Sequence, residues 1–262
     1  MNTTEKKLHD LKISGSGTFG GGEFNTVKIS GSGTIQGNVS CKDLKISGSG
    51  KIEGDVTSDE FKTSGSSKIK GNIHTKEIGI SGSTTIDGSI TALEMTVSGA
   101  SKVGKDLTCK KFKSSGSTKI GGKLQGGLIK SSGSLQVEND CEVETFTSKG
   151  SVKINGLLSA DKVEIHIGHD SFIKEIGGET IEVRNEHSTK LLKQVMNFFM
   201  QRSDHLKTEL IEGDEILLEN TKAKLVRGKN VIIGENCEIE TVEYSGICDV
   251  KDGGKVERKV KN

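Results

Sequence analysis

Apolar positions recur along much of this chain with a spacing that is neither helical nor simply alternating. Ser-Gly pairs begin at Ser14, Ser30, Ser47, Ser64, Ser81, Ser98, Ser115 and Ser132, and Lys149-Gly150 continues the series. The first step is 16 residues and the later ones are 17. A fixed period of this length is the signature of a repeat architecture. Counted from that serine, position 6 is apolar, as in Phe19, Ile35, Ile52, Ile69 and Ile86. Position 10 carries Val39, Val56, Ile73 and Ile90, and position 15 carries Leu44, Phe61, Ile78 and Met95. Position 12 is mostly small, as in Cys41, Ser58, Thr75 and Ala92, and position 8 is usually glycine. In extended chain alternate side chains share a face, so positions 6, 8, 10 and 12 are expected to point inward, as are 15 and 17. Intervening polar residues, often lysine at position 5, then point outward. The Ser-Gly-Ser group and the glycine at position 8 supply bends, where glycine tolerates positive φ.

Each repeat is therefore expected to form one coil of short strands, stacked in parallel on the next. The fold class is all-β, a parallel β-helix (solenoid) of 17-residue coils, with one C-terminal α-helix and further short strands. The register fades after Ile165, although residues 166 to 186 still alternate. From Ser188 the pattern changes. Leu191, Leu192, Val195, Phe198 and Phe199 fit a helical stripe, with Ser188 as N-cap. Three segments follow: 1–186, a β-solenoid with an N-terminal tail; 187–205, an amphipathic helix; and 206–262, a strand region that caps or continues the solenoid.

Composition supports this picture. The chain has 262 residues, 35 glycines, no proline and only 31% hydrophobic residues. Few but regularly placed apolar residues suit a thin core shared along an array. Proline would delete a ladder hydrogen bond in a strand paired on both sides. The formal net charge of +1 gives no global pull toward nucleic acid or membrane. No run of 18 apolar residues spans a bilayer, and Met1 to Asp10 lacks the apolar core of a signal peptide. A cytoplasmic location is expected, with peripheral attachment at the inner membrane surface as a variant. Five scattered cysteines form neither a disulfide framework nor a zinc site. No cofactor, metal site or catalytic residue is expected.

The unit "apolar-x-Gly-x-apolar", as in Ile52-Glu53-Gly54-Asp55-Val56 and Ile69-Lys70-Gly71-Asn72-Ile73, resembles the bactofilins, a family of bacterial cytoskeletal proteins. The resemblance covers roughly residues 11 to 165. It implies a right-handed β-helix that polymerises end to end without nucleotide. The chain departs from the family plan by lacking Pro-rich tails and by carrying the region after 186.

Other motifs weigh less. Gly15 to Gly20 matches GxGxxG, but no helix follows, as a dinucleotide site requires. His166, His169 and Asp170 offer metal-ligating atoms without convergent spacing, so a solvated coil edge is the simpler account. Val231 to Ile239 resembles a hexapeptide of left-handed β-helix acyltransferases, but the array is short and no histidine follows His205. Lys102, Lys105, Lys110, Lys111, Lys113, Lys119, Lys123 and Lys130 face one acid, Asp106, within residues 99–131. Such a face fits an anionic surface. Only Phe112 lies nearby to stack a base, so nucleic acid is not expected and a solvated face is the simpler account.

The favoured function is a structural scaffold that self-assembles through its solenoid ends, with self as partner and other scaffold or membrane-associated proteins as further ones. The alternatives are a β-helix enzyme, of hexapeptide acyltransferase or carbohydrate-active type, and a non-polymerising binding module. Solenoid ends expose unpaired strand edges. Leu11, Ile13, Phe19, Phe24, Val27 and Ile29 mark the N-terminal end as the face that joins another copy. Filaments follow if both ends are free, and a head-to-head dimer if the C-terminal region caps its end.

Overall fold

The computed structural model describes residues 8–185 and 204–262. The chain divides into two compact units, residues 1–122 and 123–262. Both are built from parallel strands, and the described residues contain no helix. The helix expected over 187–205 falls largely on residues 186–203, outside the described residues. Asp204 and His205 are irregular and lead into a strand.

The first unit contains β1 (Leu11–Ile13), β2 (Ser16–Glu23), β3 (Thr26–Ile29), β4 (Ser32–Ile46), β5 (Ser49–Ile52), β6 (Val56–Thr63) and β7 (Ser66–Ile69). It continues with β8 (Ile73–Ile80), β9 (Ser83–Ile86), β10 (Ile90–Val97), β11 (Ala100–Val103), β12 (Leu107–Ser114) and β13 (Ser117–Ile120). Long and short strands alternate, and each pairs with its counterpart one coil away. Val56 lies opposite Ile73, Ile73 opposite Ile90, and Ile90 opposite Leu107. Register is fixed because a one-residue slip would turn every inward side chain outward.

The inward columns are positions 4, 6, 10, 12, 15 and 17. Ile35, Ile52, Ile69 and Ile86 at position 6 are fully buried, as are Phe61 and Phe112 at position 15. Each such side chain contributes about 1.5–3 kcal/mol by leaving water. Position 4 went unrecognised in the sequence because its residues are small: Gly33, Gly50, Ser67, Thr84, Ser101 and Thr118 are all buried. Conversely, position 8 is not a core column. A Cβ on Gly54 would lie 2.4 Å from the carbonyl carbon of Gly37, so glycine is required there for close approach of the next turn. The Ser-Gly corners are similar: a Cβ on Gly65 would lie 2.0 Å from the Gly48 carbonyl oxygen. Positive φ occurs at only one repeat glycine of this unit outside the first coil, Gly37 (φ 100°). The expectation that these glycines serve left-handed bends is therefore corrected; interstrand crowding selects them.

The second unit contains β14 (Leu124–Ser131), β15 (Ser134–Val137), β16 (Cys141–Ser148), β17 (Ser151–Ile167), β18 (Ser171–Asn185), β19 (Leu206–Leu218), β20 (Thr221–Ile233), β21 (Glu238–Tyr244), β22 (Cys248–Val250) and β23 (Lys255–Lys261). Here the period changes. Ile165 pairs with Val183, Ser171 with Leu206, and Leu206 with Thr221. Strands β19 to β23 thus stack in parallel on β18 and on one another. The core is continued by Ile176, Ile211, Val226 and Val242.

Candidate functional site

The described chain begins against the first coil of unit one. The backbone amide of Asn25 donates to the His9 carbonyl at 2.9 Å, and the Asn25 side-chain amide donates to Asp10 at 3.0 Å. Hydrogen bonds from Asn25 and then Thr26 hold the Asp10 carboxyl below the usual carboxylate range. These contacts set the register of β1, in which Leu11 lies over Val27 and Ile13 over Ile29. Phe19, on β2, lies opposite Ile35.

The shorter first repeat has a structural cause. Phe19 and Ile35 are 16 apart, while Gly22 and Val39 are 17 apart, with the register shifting between Gly20 and Gly22. Gly37, with φ 100°, lies within β4 opposite this register shift. A Cβ on Gly21 would lie 2.4 Å from the Asn38 carbonyl oxygen, so the glycine run is needed to bring the two turns together.

The terminal turn is a sheet edge. Strands β1 and β2 pair on one side, with β3 and β4, and no described residue pairs with their other side. Among the six residues picked out by sequence, Phe19 is 38% exposed and Leu11 is half-buried on that edge. Ile13 is buried in the same turn. Phe24 is half-buried, and Val27 and Ile29 are fully buried one turn further in, beneath Leu11 and Ile13. The Phe19 ring folds over Gly17, whose Cβ would meet it at 3.0 Å. An aromatic ring, small residues and unpaired backbone groups therefore share this edge. The last strands of unit two differ: β23 reads Lys-Val-Glu-Arg-Lys-Val-Lys, and charges on an edge discourage pairing.

The eight lysines do not converge. Lys102 and Lys119 stack as neighbours on β11 and β13. Lys111 approaches Glu94 at 3.4 Å, which neutralises it. Lys123 and Lys130 belong to the second unit, where Lys123 pairs with Asp140 at 3.0 Å. That lysine, and then the Leu157 amide, hold the Asp140 carboxyl low.

The second unit also has an open groove of about 640 Å³ along one corner. Its floor is Thr208, Ala223, Ile239 and Val256. Its walls are charged ladders of both signs, with Lys222 on Glu238 at 2.7 Å and Lys224 on Glu209 at 3.1 Å. His166 Nε2 bonds to Glu164 at 2.7 Å, and Asp170 accepts the His205 amide at 3.2 Å. Among the described residues no His/Cys/Asp/Glu cluster could hold a metal ion. Burial pushes the Cys109 thiol up to about 12, which removes it as a nucleophile. No described helix is long and apolar enough to cross a membrane.

Comparison with known proteins bears on the first unit. The family model for the bactofilins, described as polymer-forming cytoskeletal, matches residues 8–107. Uncharacterized protein YhbF of Bacillus subtilis (strain 168) is 39% identical over 107 residues, covering 40% of this chain and 42% of that protein. Uncharacterized protein YhbE of the same organism is 44% identical over 109 residues, covering 41% of this chain and 44% of that protein. The chain thus matches less than half the length of these relatives. No solved structure matches. The match stops at residue 107, short of the residue 165 expected from sequence. Residues 8–107, within the first unit, are thus the part of the chain that is similar to the bactofilins.

Proposed function

We propose that this protein is a structural scaffold whose bactofilin domain joins another copy through its N-terminal turn, without nucleotide. The observation that carries this reading is the one-sided pairing of β1 and β2 beside exposed Phe19. Unpaired N–H and C=O groups on a sheet edge are a template for a further strand, and a solenoid end without a cap recruits one. The polymer-forming character of the matched family supports the same conclusion. Partner copies docking there extend the ladders by the same hydrogen bonds that stack the coils. No phosphate enters this chemistry, so assembly proceeds in nucleotide-free buffer.

The test is light scattering across a concentration series, comparing the native chain with a Phe19→Asp/Phe24→Asp variant. The native chain is expected to grow in mass with concentration. The variant is expected to stay monomeric while its β-type circular dichroism is unchanged. Equal assembly by both proteins would move the interface elsewhere.

A further inference from the structure

The inward ladders of the second unit are built from apolar side chains, and one of them changes character in its last turn. It runs through Cys141, Leu158, Ile176, Ile211, Val226 and Val242, each opposite the next across neighbouring coils. All of these are buried. The residue that follows in register, opposite Val242, is Lys259 on β23. A second ladder passes through Ile181, Ile216 and Val231 to Cys248 on β22. Strands β22 and β23 pair on one side, with β20 and β21, and no described residue pairs with their other side. This turn is a sheet edge like the N-terminal one, but a lysine stands in its core column. Burial raises the Cys248 thiol, and the Lys259 charge opposes that rise, so the lysine acts across the mouth of the core. The N-terminal turn is built the opposite way, with Leu11 over Val27, Ile13 over Ile29 and Phe19 over Ile35.

We infer that Lys259 closes this edge to further copies, so that assembly through the N-terminal turn stops at a two-fold dimer. The dimer rests on the joint proposed above, whereas the closure stands on the ladder alone. Lysine at an open edge keeps its ammonium in water while its stem covers apolar neighbours, and Lys259 is exposed. A copy stacked on β22 and β23 would continue the column and seal that charge against the Val242 rung. An unpaired charge taken out of water opposes whatever the added strand pairs gain. Inward-pointing charges on edge strands block edge-to-edge pairing in this way. Head-to-tail growth needs this turn as one of its two faces, and tail-to-tail contact needs it twice. Contact of one N-terminal turn with another needs neither. Such an interface uses the same patch on both copies and closes on itself. Lys259 lies outside residues 8–107, so the closure belongs to a part of the chain that the polymer-forming family model does not match.

The experiment separates closure from joint by reading mass with light scattering over a concentration series. Full chains are compared: native, Lys259→Val, Lys259→Arg, Phe19→Asp/Phe24→Asp, and the last combined with Lys259→Val. Circular dichroism matching the native chain shows that each is folded. The native chain should level off at twice the monomer mass. Lys259→Val restores an apolar rung, and its mass should keep rising past the dimer. Lys259→Arg keeps the charge and should level off with the native chain. The combined variant should pair where Phe19→Asp/Phe24→Asp is monomeric, and should stop at a dimer, which distinguishes a specific contact from aggregation. A native chain that grows past a dimer would overturn the closure, as would a Lys259→Val substitution that adds no mass in either background. A native chain that stays monomeric while the combined variant pairs would uphold the closure and count against the N-terminal joint.

Discussion

At the scale of single residues, the core is thin enough that each inward position is felt. Ile69 has no solvent exposure, whereas its neighbour Lys68 is outward and pairs loosely with Asp87 at 3.6 Å. Ile69→Lys buries an unpaired charge and should cost several kcal/mol, while Lys68→Glu should fall within about 0.5 kcal/mol of the native chain. Thermal melts that ranked them in reverse would shift every inward column by one residue. A second case concerns position 17. Ile29, Ile46, Ile80 and Val97 fill that column, but Thr63 interrupts it, and its hydroxyl has no hydrogen-bond partner. An unsatisfied buried hydroxyl costs about 1–3 kcal/mol. Thr63→Val keeps the shape and removes the polar atom, so it should raise the melting temperature; a fall would show that the hydroxyl is satisfied in solution.

At the scale of the element, the repeat is held by its turns as much as by its strands. The Asp55 amide donates to the Asn38 side chain at 2.9 Å, the Asn72 amide to Asp55 at 2.7 Å, and the Ser89 amide to Asn72 at 2.9 Å. Side-chain oxygens at position 9 thus continue the ladder across the bend. Carboxylates paired along the coils are tuned in the same sense. Glu53 is held low by Lys51 and Lys70, and Glu238 by Lys222. A carboxyl lowered in the folded state contributes stability above its unfolded value, and that contribution is lost as pH falls through the folded value. Unfolded carboxyls titrate near pH 4, so melting temperature should hold from pH 7 to about 5 and decline below about 4. A flat profile down to pH 2 would show these pairs to be energetically silent. Strand positions were legible in the sequence because Ile, Val and Phe repeat in register. Position 4 was not, because Ser67 and Thr84 look like surface residues; they are buried and bonded to each other at 2.8 Å. The loss of the 17-residue register after Ile165 was legible, but the pairing of the later coils was not, since insertions in turns leave no hydrophobic signal.

At the scale of the whole molecule, sequence and structure agree on a coiled parallel sheet, and the bactofilin family model matches residues 8–107. The candidate joint was partly legible. Phe19 and Leu11 stand at the edge as their position in the first repeat implied, but Val27 and Ile29 belong to the second turn and are sealed under it. One-dimensional spacing does not show which coil is outermost; that depends on the pairing of β1 over β3. The most direct test of the account is electron microscopy of the purified chain at high concentration, in buffer without nucleotide. The account predicts elongated or paired assemblies joined at the N-terminal turn. A population that remains monomeric under those conditions would contradict it.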